Sequence, residues 1–104
     1  MPRARSVIWA PRAKQDLAEI WRYYAQVAST EIADRILREI ASAATVMELR
    51  VLPGRSRDEL RPGLRSLIVH PHTIFFRISG GEAQVARVLH ERRDFSAVFG
   101  DERE

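Results

Sequence analysis

Three histidines, and the arginines that follow one of them, are the side chains of this sequence best suited to chemistry. His70 and His72 flank a proline, and His90 begins the charged segment His90-Glu91-Arg92-Arg93-Asp94. Residues two apart in a strand share a face, so the first two histidines could join the third in a metal site. No carboxylate is evidently placed to orient such ligands. We therefore predict no metal ion and take His70 and His72 as turn or strand-edge residues.

The segment that begins at His90 suits a second kind of chemistry, acid–base catalysis on RNA. An imidazole that titrates near neutral pH, beside the fixed cations Arg92 and Arg93, has groups that phosphoryl transfer requires. The structural alternative is that His90 ends a strand and bonds to a neighbouring carbonyl group. From residue chemistry alone this alternative is favoured, and no catalytic residue is predicted.

The rest of the sequence excludes several classes of site. It contains no glycine-rich nucleotide-binding loop, no HExxH pattern and no GxSxG motif, so no cofactor is predicted. The 104 residues include no cysteine, which excludes disulfides and favours a reducing cytoplasm. No apolar run approaches the roughly 18 residues of a membrane span, and no signal-peptide core is present. We expect a single cytoplasmic domain over residues 1–104 with no membrane partner.

Arginine is concentrated in the second half of the chain. The whole sequence has 17 lysines and arginines against 14 acidic residues. Positions 50–93 contain nine arginines and four acidic residues, whereas the remainder has a slight acidic excess. Every cation except Lys14 is an arginine, the residue that pairs in bidentate fashion with carboxylate or phosphate. This half therefore suits an acidic protein segment or a nucleic acid, unless its arginines pair within the chain.

Apolar spacing in the first half predicts a strand and two helices. Val7–Trp9 is a short β-favouring run, interpreted as an edge strand before Pro11, which fits the first turn of a helix. The first helix should run from about Pro11 to about Ala28, and the second from about Glu31 to about Leu49 or Leu52. Pro53-Gly54 ends the second helix. Because the loop between the helices is short, they should form an antiparallel hairpin.

Three apolar runs in the second half predict an antiparallel meander. They are Leu64–Val69, Thr73–Ile78 and Ala83–Leu89. Gly80-Gly81 joins the last two, and paired glycines favour a tight hairpin because both can adopt positive φ. A short helix and a frayed tail should occupy about 95–104. The predicted fold class is α+β, with an N-terminal edge strand and a helix hairpin packed on an antiparallel sheet that ends in the meander.

Five stretches follow the order of these predicted elements. They are Ala13-x-x-Asp16-Leu17-x-x-Ile20-Trp21-x-Tyr23, Pro53-Gly54-Arg55, Arg57-Asp58-Glu59-Leu60 with Gly63-Leu64-Arg65-Ser66, His72-Thr73-Ile74-Phe75-Phe76-Arg77, and Arg87-Val88-Leu89-His90-x-x-Arg93-Asp94. Together they resemble the ParE/RelE superfamily of bacterial type II toxins, over about Val7 to about Phe99. The last two stretches are the most specific and are similar to the ParE branch.

The ParE resemblance implies a particular function and particular partners. It implies a toxin that arrests growth by poisoning DNA gyrase, without being an enzyme itself, and that a ParD-like antitoxin neutralises. Such systems are associated with plasmid stabilisation. In type II systems DNA binding normally belongs to the antitoxin, so no sequence-specific DNA binding is expected of this chain.

The RelE branch is the main alternative, because its members cleave mRNA on the ribosome. Those toxins use clustered lysines and arginines and usually a tyrosine near the C-terminus. This chain departs from that pattern, since its lysine and both tyrosines lie in the first predicted helix, while Phe95 and Phe99 have no hydroxyl group. Arg65, His90 and Arg92 could still form a partial ribonuclease set. A non-catalytic interaction domain is a second alternative.

Two sets of binding residues are predicted from the charges and the apolar helix faces. Charged residues that crowd one strand end beside the tail are expected to face the target. These are His90, Arg92 and Arg93. Arginines of the basic half and aromatic residues of the helix hairpin are expected to bind an antitoxin that folds on binding. These are Arg65, Arg77, Trp21 and Tyr24.

Overall fold

The computed structural model describes residues 5–49 and 53–101, and the statements below concern those residues. They form five strands and four helices. In chain order these are β1 (Ser6–Trp9), α1 (Pro11–Val27), α2 (Thr30–Ala44), α3 (Val46–Leu49), β2 (Arg55–Ser56), β3 (Arg65–Val69), β4 (His72–Ser79), β5 (Glu82–His90) and α4 (Phe95–Asp101). The predicted α+β fold, with its edge strand, helix hairpin and meander, is confirmed.

The five strands form one sheet in the order β1-β5-β4-β3-β2. The meander of β3, β4 and β5 is antiparallel as predicted, and β2 adds a two-residue strand that was not predicted. β1 lies at the sheet edge but runs parallel to β5. The sheet is therefore mixed rather than wholly antiparallel, because helices and meander separate these two strands and no hairpin turn fixes their relative direction.

The helices begin and end close to the predicted residues, with two differences. The second helix, predicted from about Glu31, begins at Thr30, and Ser29 caps it because its hydroxyl oxygen accepts the backbone N–H of Ile32 at 3.1 Å. The second helix was predicted to continue to about Leu49 or Leu52, but α2 stops at Ala44 and the separate α3 continues to Leu49, while Leu52 lies outside the described residues. The Thr45 hydroxyl donates to the Ser42 carbonyl at 2.7 Å, and such local bonds compete with regular helix geometry. In the described ranges, no helix combines the length and apolar character that crossing a membrane requires.

The sheet separates two hydrophobic cores. The larger core lies under the helix hairpin and includes Ile40, Met47, Ile74, Phe76 and Val88. The smaller core lies on the opposite face, where α4 and the loop before β3 cover it. It contains Leu60, Leu64, Phe75, Leu89, Val98 and Phe99. A β-bulge shifts the pairing between Phe75 and Phe76, whose adjacent side chains serve the two different cores.

Candidate functional site

A groove lies between the last turns of α1, the start of α2 and the end of β5. Its volume is about 540 Å³, and most of its lining is apolar. We call it the helix-end groove. Its lining residues include Ile20, Tyr23, Tyr24, Val27, Ile32, His72, His90 and Arg93. Tyr23 is 59% exposed and Val27 is 60% exposed, although both are large side chains on the same face of α1. The groove is therefore an open apolar surface with charged groups at one end.

A buried ion pair fixes α1 to β5 beneath this groove. Asp16 accepts hydrogen bonds from Arg87 Nε at 2.7 Å and Arg87 Nη2 at 3.0 Å, and also from the backbone N–H of Val88 at 2.9 Å. Asp16 is 5% exposed and Arg87 is 3% exposed. Both residues stand in the stretches quoted from the sequence, but their pairing was not predicted. The sequence feature that could have indicated this pair is the position of Arg87, a charged residue inside the apolar run that forms β5.

Two histidines pack together at the polar end of the groove. His72 and His90 are cross-strand neighbours on β4 and β5, with ring centroids 5.6 Å apart, and the Tyr24 ring lies 6.1 Å from that of His72. His72 is only 3% exposed. Burial lowers the pKa of His72 below the ordinary histidine value, and nearby His90 lowers it further, whereas Glu91 acts in the opposite direction. The structure therefore favours a neutral His72.

His90 ends β5, as the structural alternative proposed, but its ring has a different hydrogen-bond partner. Its Nδ1 accepts the backbone N–H of Arg92 at 3.1 Å instead of donating to a carbonyl group. The neutral ring then carries its hydrogen on Nε2. This bond and the one from Arg93 N–H to the His90 carbonyl, at 2.9 Å, form the turn after β5. The three predicted target-facing residues therefore lie together in one turn.

The third histidine lies apart from this pair. His70 Nδ1 is 2.8 Å from a carboxylate oxygen of Glu91, and the two side chains are 77% and 46% exposed. Within residues 5–49 and 53–101, no three side chains of the metal-binding types come close enough to hold an ion. The predicted place of His70 in a turn is confirmed, whereas His72 is a buried residue and not an edge residue.

The four predicted antitoxin-binding residues do not form one surface. Tyr24 lines the helix-end groove, whereas Trp21 lies in the seam of the hairpin, where its Nε1 donates to Asp34 Oδ1 at 2.8 Å. Arg65 Nε donates to the Pro53 carbonyl at 2.9 Å. Arg77 lies beside the loop that precedes β3, near Gly63. The structure therefore connects only Tyr24 with the predicted target-facing turn.

The partial ribonuclease set is also divided. Arg65 pairs with Phe76 of β4, whereas His90 pairs with His72 of the same strand. These two β4 positions are about 13 Å apart at roughly 3.3 Å per residue. Arg65 additionally serves the backbone of the segment before β2, through the carbonyl groups of Pro53 and Gly54. Arg65 is therefore far from the turn that contains His90 and Arg92.

Several arginines of the basic half have structural partners around the smaller core. Arg57 lies over the rings of Phe75 and Phe95 at 5.6 and 5.5 Å and bonds to Glu59 at 2.7 Å. The Arg61 guanidinium donates to the Phe99 carbonyl at 2.9 Å. Contact with Arg57 lowers the pKa of exposed Glu59. Several arginines of this half are therefore paired within the chain. Arg50 lies outside the described residues.

Comparisons with known proteins agree with this architecture over most of the chain. The family described as "ParE toxin of type II toxin-antitoxin system, parDE" matches residues 7–95. The toxin ParE1 of Mycobacterium tuberculosis is 38% identical over 86 residues, covering 82% of this chain and 88% of that protein. The solved chromosomal ParDE system of P. aeruginosa matches with a TM-score of 0.74 and 26% identity, covering 84% of this chain and 96% of that chain. The RelBE2 toxin–antitoxin complex of M. tuberculosis shares the fold, with a TM-score of 0.55 and 18% identity over 84% of this chain and 98% of that chain.

Proposed function

The chain belongs to the ParE toxin family of type II toxin–antitoxin systems, and from this premise we propose that it inhibits DNA gyrase and is neutralised by a ParD-like antitoxin. It acts in the cytoplasm, without a cofactor and without reading a DNA sequence itself. Growth arrest then follows from the inhibited target and not from a reaction that this chain catalyses.

The separation of Arg65 from the turn after β5 is the observation that favours gyrase inhibition over mRNA cleavage. Cleavage of RNA needs groups that activate the 2′-hydroxyl, stabilise the phosphorane and protonate the leaving oxygen, all within reach of one phosphate. His90 and Arg92 lie in that turn, but Arg65 is engaged by the Pro53 and Gly54 carbonyl groups elsewhere on the sheet. The geometry therefore supports target binding without catalysis.

The helix-end groove supports the antitoxin part of the proposal. Its open apolar lining suits apolar side chains of a partner segment, and Arg93 at its polar end suits a carboxylate. A segment that is disordered alone and folds on binding can follow such a groove and continue over the neighbouring surface. The matched ParDE and RelBE2 structures are described as a toxin–antitoxin system and complex, which favours this kind of partner.

A single expression experiment separates gyrase inhibition from mRNA cleavage. The toxin is expressed briefly in cells carrying a reporter plasmid, and plasmid supercoiling and mRNA integrity are measured in the same culture. We expect loss of negative supercoiling, cleaved DNA–gyrase complexes and intact mRNA. Site-specific mRNA cuts with normal supercoiling would overturn the gyrase proposal and make His90 and Arg92 catalytic candidates.

Variants of the turn after β5 complete the experiment. Replacing Arg92 and Arg93 together by alanine should reduce toxicity without unfolding the domain, because both side chains are exposed. Arg38→Ala, an equally exposed change on α2, is the matched control and should retain full toxicity. Equal toxicity of both variants would show that this turn does not face the target.

A further inference from the structure

His72 is a buried titratable group for which the proposed function has no use. It begins β4 at the polar end of the helix-end groove, is 3% exposed, and packs against the rings of Tyr24 and His90. A surface histidine would tolerate either protonation state at little cost. Here the imidazolium would have to form inside a packed aromatic cluster with little access to water.

The charged groups around His72 compensate such a charge only in part. Those that line the groove from α1 are Asp16 and Glu19, and those at the end of β5 and in the following turn are His90, Glu91 and Arg93. Asp16 is already engaged by Arg87 and the Val88 N–H. Glu91 contacts His70, and Glu19 is exposed to solvent. Arg93 adds a positive charge on the same side and His90 also opposes the proton, so the favourable effect of Glu91 does not offset the cost of burial.

We propose that His72 makes the helix-end groove proton-sensitive: the polar end of the groove is packed around a neutral His72 ring and loosens when that ring takes a proton. The imidazolium can be hydrated only if Tyr24 or the β5 end moves away from it. Protonation of His72 should therefore weaken the contact between the last turns of α1 and the His72–His90 pair. The rest of the sheet is held by the two cores.

Loosening of the groove on protonation of His72 would regulate antitoxin docking, a consequence that rests on the proposed function. A groove that changes shape on protonation would hold an apolar partner segment less well in mildly acidic conditions. The loosening itself is a property of the toxin alone. It can therefore be tested without any partner, so the failure of either proposal is visible separately from the other.

The test is an NMR titration of the purified toxin from about pH 8 to about pH 5, the range in which histidines change charge. We expect the His72 ring to take its proton at lower pH than a histidine in an unstructured reference peptide. Backbone signals of Ile20, Val27 and Ile32 should shift with the same midpoint, whereas those of Val98 and Phe99 in the smaller core should remain unchanged. Groove signals that do not follow His72 would overturn the proposal.

Two variants separate His72 from the other histidines. His72→Phe keeps an aromatic ring against Tyr24 and His90 but cannot titrate, so the groove transition should disappear. His70→Gln removes the exposed histidine and should leave the transition in place. If His72→Phe does not fold, His72→Gln serves in its place, since it too carries no proton over this range. A groove transition that persists in a folded His72 variant would contradict the assignment.

Discussion

At the scale of single residues, the Asp16–Arg87 pair gives two of the ParE-like stretches a physical role. Asp16 belongs to the first stretch and Arg87 begins the last, and they are 71 positions apart in sequence. Their contact joins α1 to β5, the elements whose Tyr24 and His90 both line the helix-end groove. These two residues of the recognisable stretches therefore hold the scaffold in place and do not face a target.

Breaking this pair should destabilise the toxin strongly. Asp16→Asn removes the carboxylate charge that pairs with the buried Arg87 guanidinium, and breaking a buried ion pair typically costs about 3–5 kcal/mol. The free energy of unfolding from urea titrations measures the loss. Glu39→Gln is the matched control, since the Glu39–Arg35 pair is 3.8 Å long and more than half exposed, and its loss should cost less than about 1 kcal/mol. Equal losses in the two variants would contradict the structural role of the buried pair.

The residue positions that could be predicted depend on neighbours in sequence, whereas the contacts that were not predicted join residues far apart in sequence. His90, Arg92 and Arg93 are adjacent in sequence, so their common turn could be predicted from the strand that precedes them. The pairing of Asp16 with Arg87 depends on how α1 crosses the sheet, which no local pattern reports. The same reason explains why Arg65 was predicted to face a partner, although its guanidinium bonds to backbone carbonyl groups.

At the scale of elements, hydrophobic periodicity and turn residues predicted the helix hairpin and the meander. Both depend on contacts between neighbours in sequence, as in the Gly80-Gly81 hairpin, where Gly80 has φ +59°. The direction of β1, the short β2 and the bulge beside Phe75 depend on distant partners and were not predicted. Pro53-Gly54 was predicted to end the second helix, and in the structure Gly54 also permits the close approach of β3.

Gly54 offers a sharp test at this scale. It has φ +68°, and a Cβ atom built there would overlap the Ser66 carbonyl oxygen of β3. Gly54→Ala should therefore lower the unfolding free energy by at least about 1–3 kcal/mol, from backbone strain alone. Gly81→Ala is the control, because it lies in open space without a positive φ and should change stability by less than about 0.5 kcal/mol. Thermal unfolding of both variants measures the difference, and an equally stable Gly54→Ala would show that β2 and β3 can separate without cost.

At the scale of the whole molecule, the formal charge of positions 50–93 overstates the positive charge that is exposed to a partner. The excess of arginine in positions 50–93 predicted a basic surface, but Arg87 is buried and Arg57, Arg61 and Arg65 bond within the chain. Arg93 remains exposed at the polar end of the helix-end groove, while Arg77 is half-buried beside Gly63. Electrostatic attraction to an acidic antitoxin should therefore be local rather than spread over this half.

Charge reversal at these two arginines tests where the antitoxin docks. If its segment lies in the helix-end groove, Arg93→Glu should weaken the complex about three- to tenfold, as expected for an interfacial charge near the rim. Arg77→Glu should weaken it less, because Arg77 lies beside the loop that precedes β3. Titration calorimetry at low and high salt measures both effects, and added salt should narrow the difference between wild type and Arg93→Glu because it screens exposed charges. The opposite order of the two variants would place the acidic part of the antitoxin on the side of the sheet that carries Arg77 and exclude the groove as its main site.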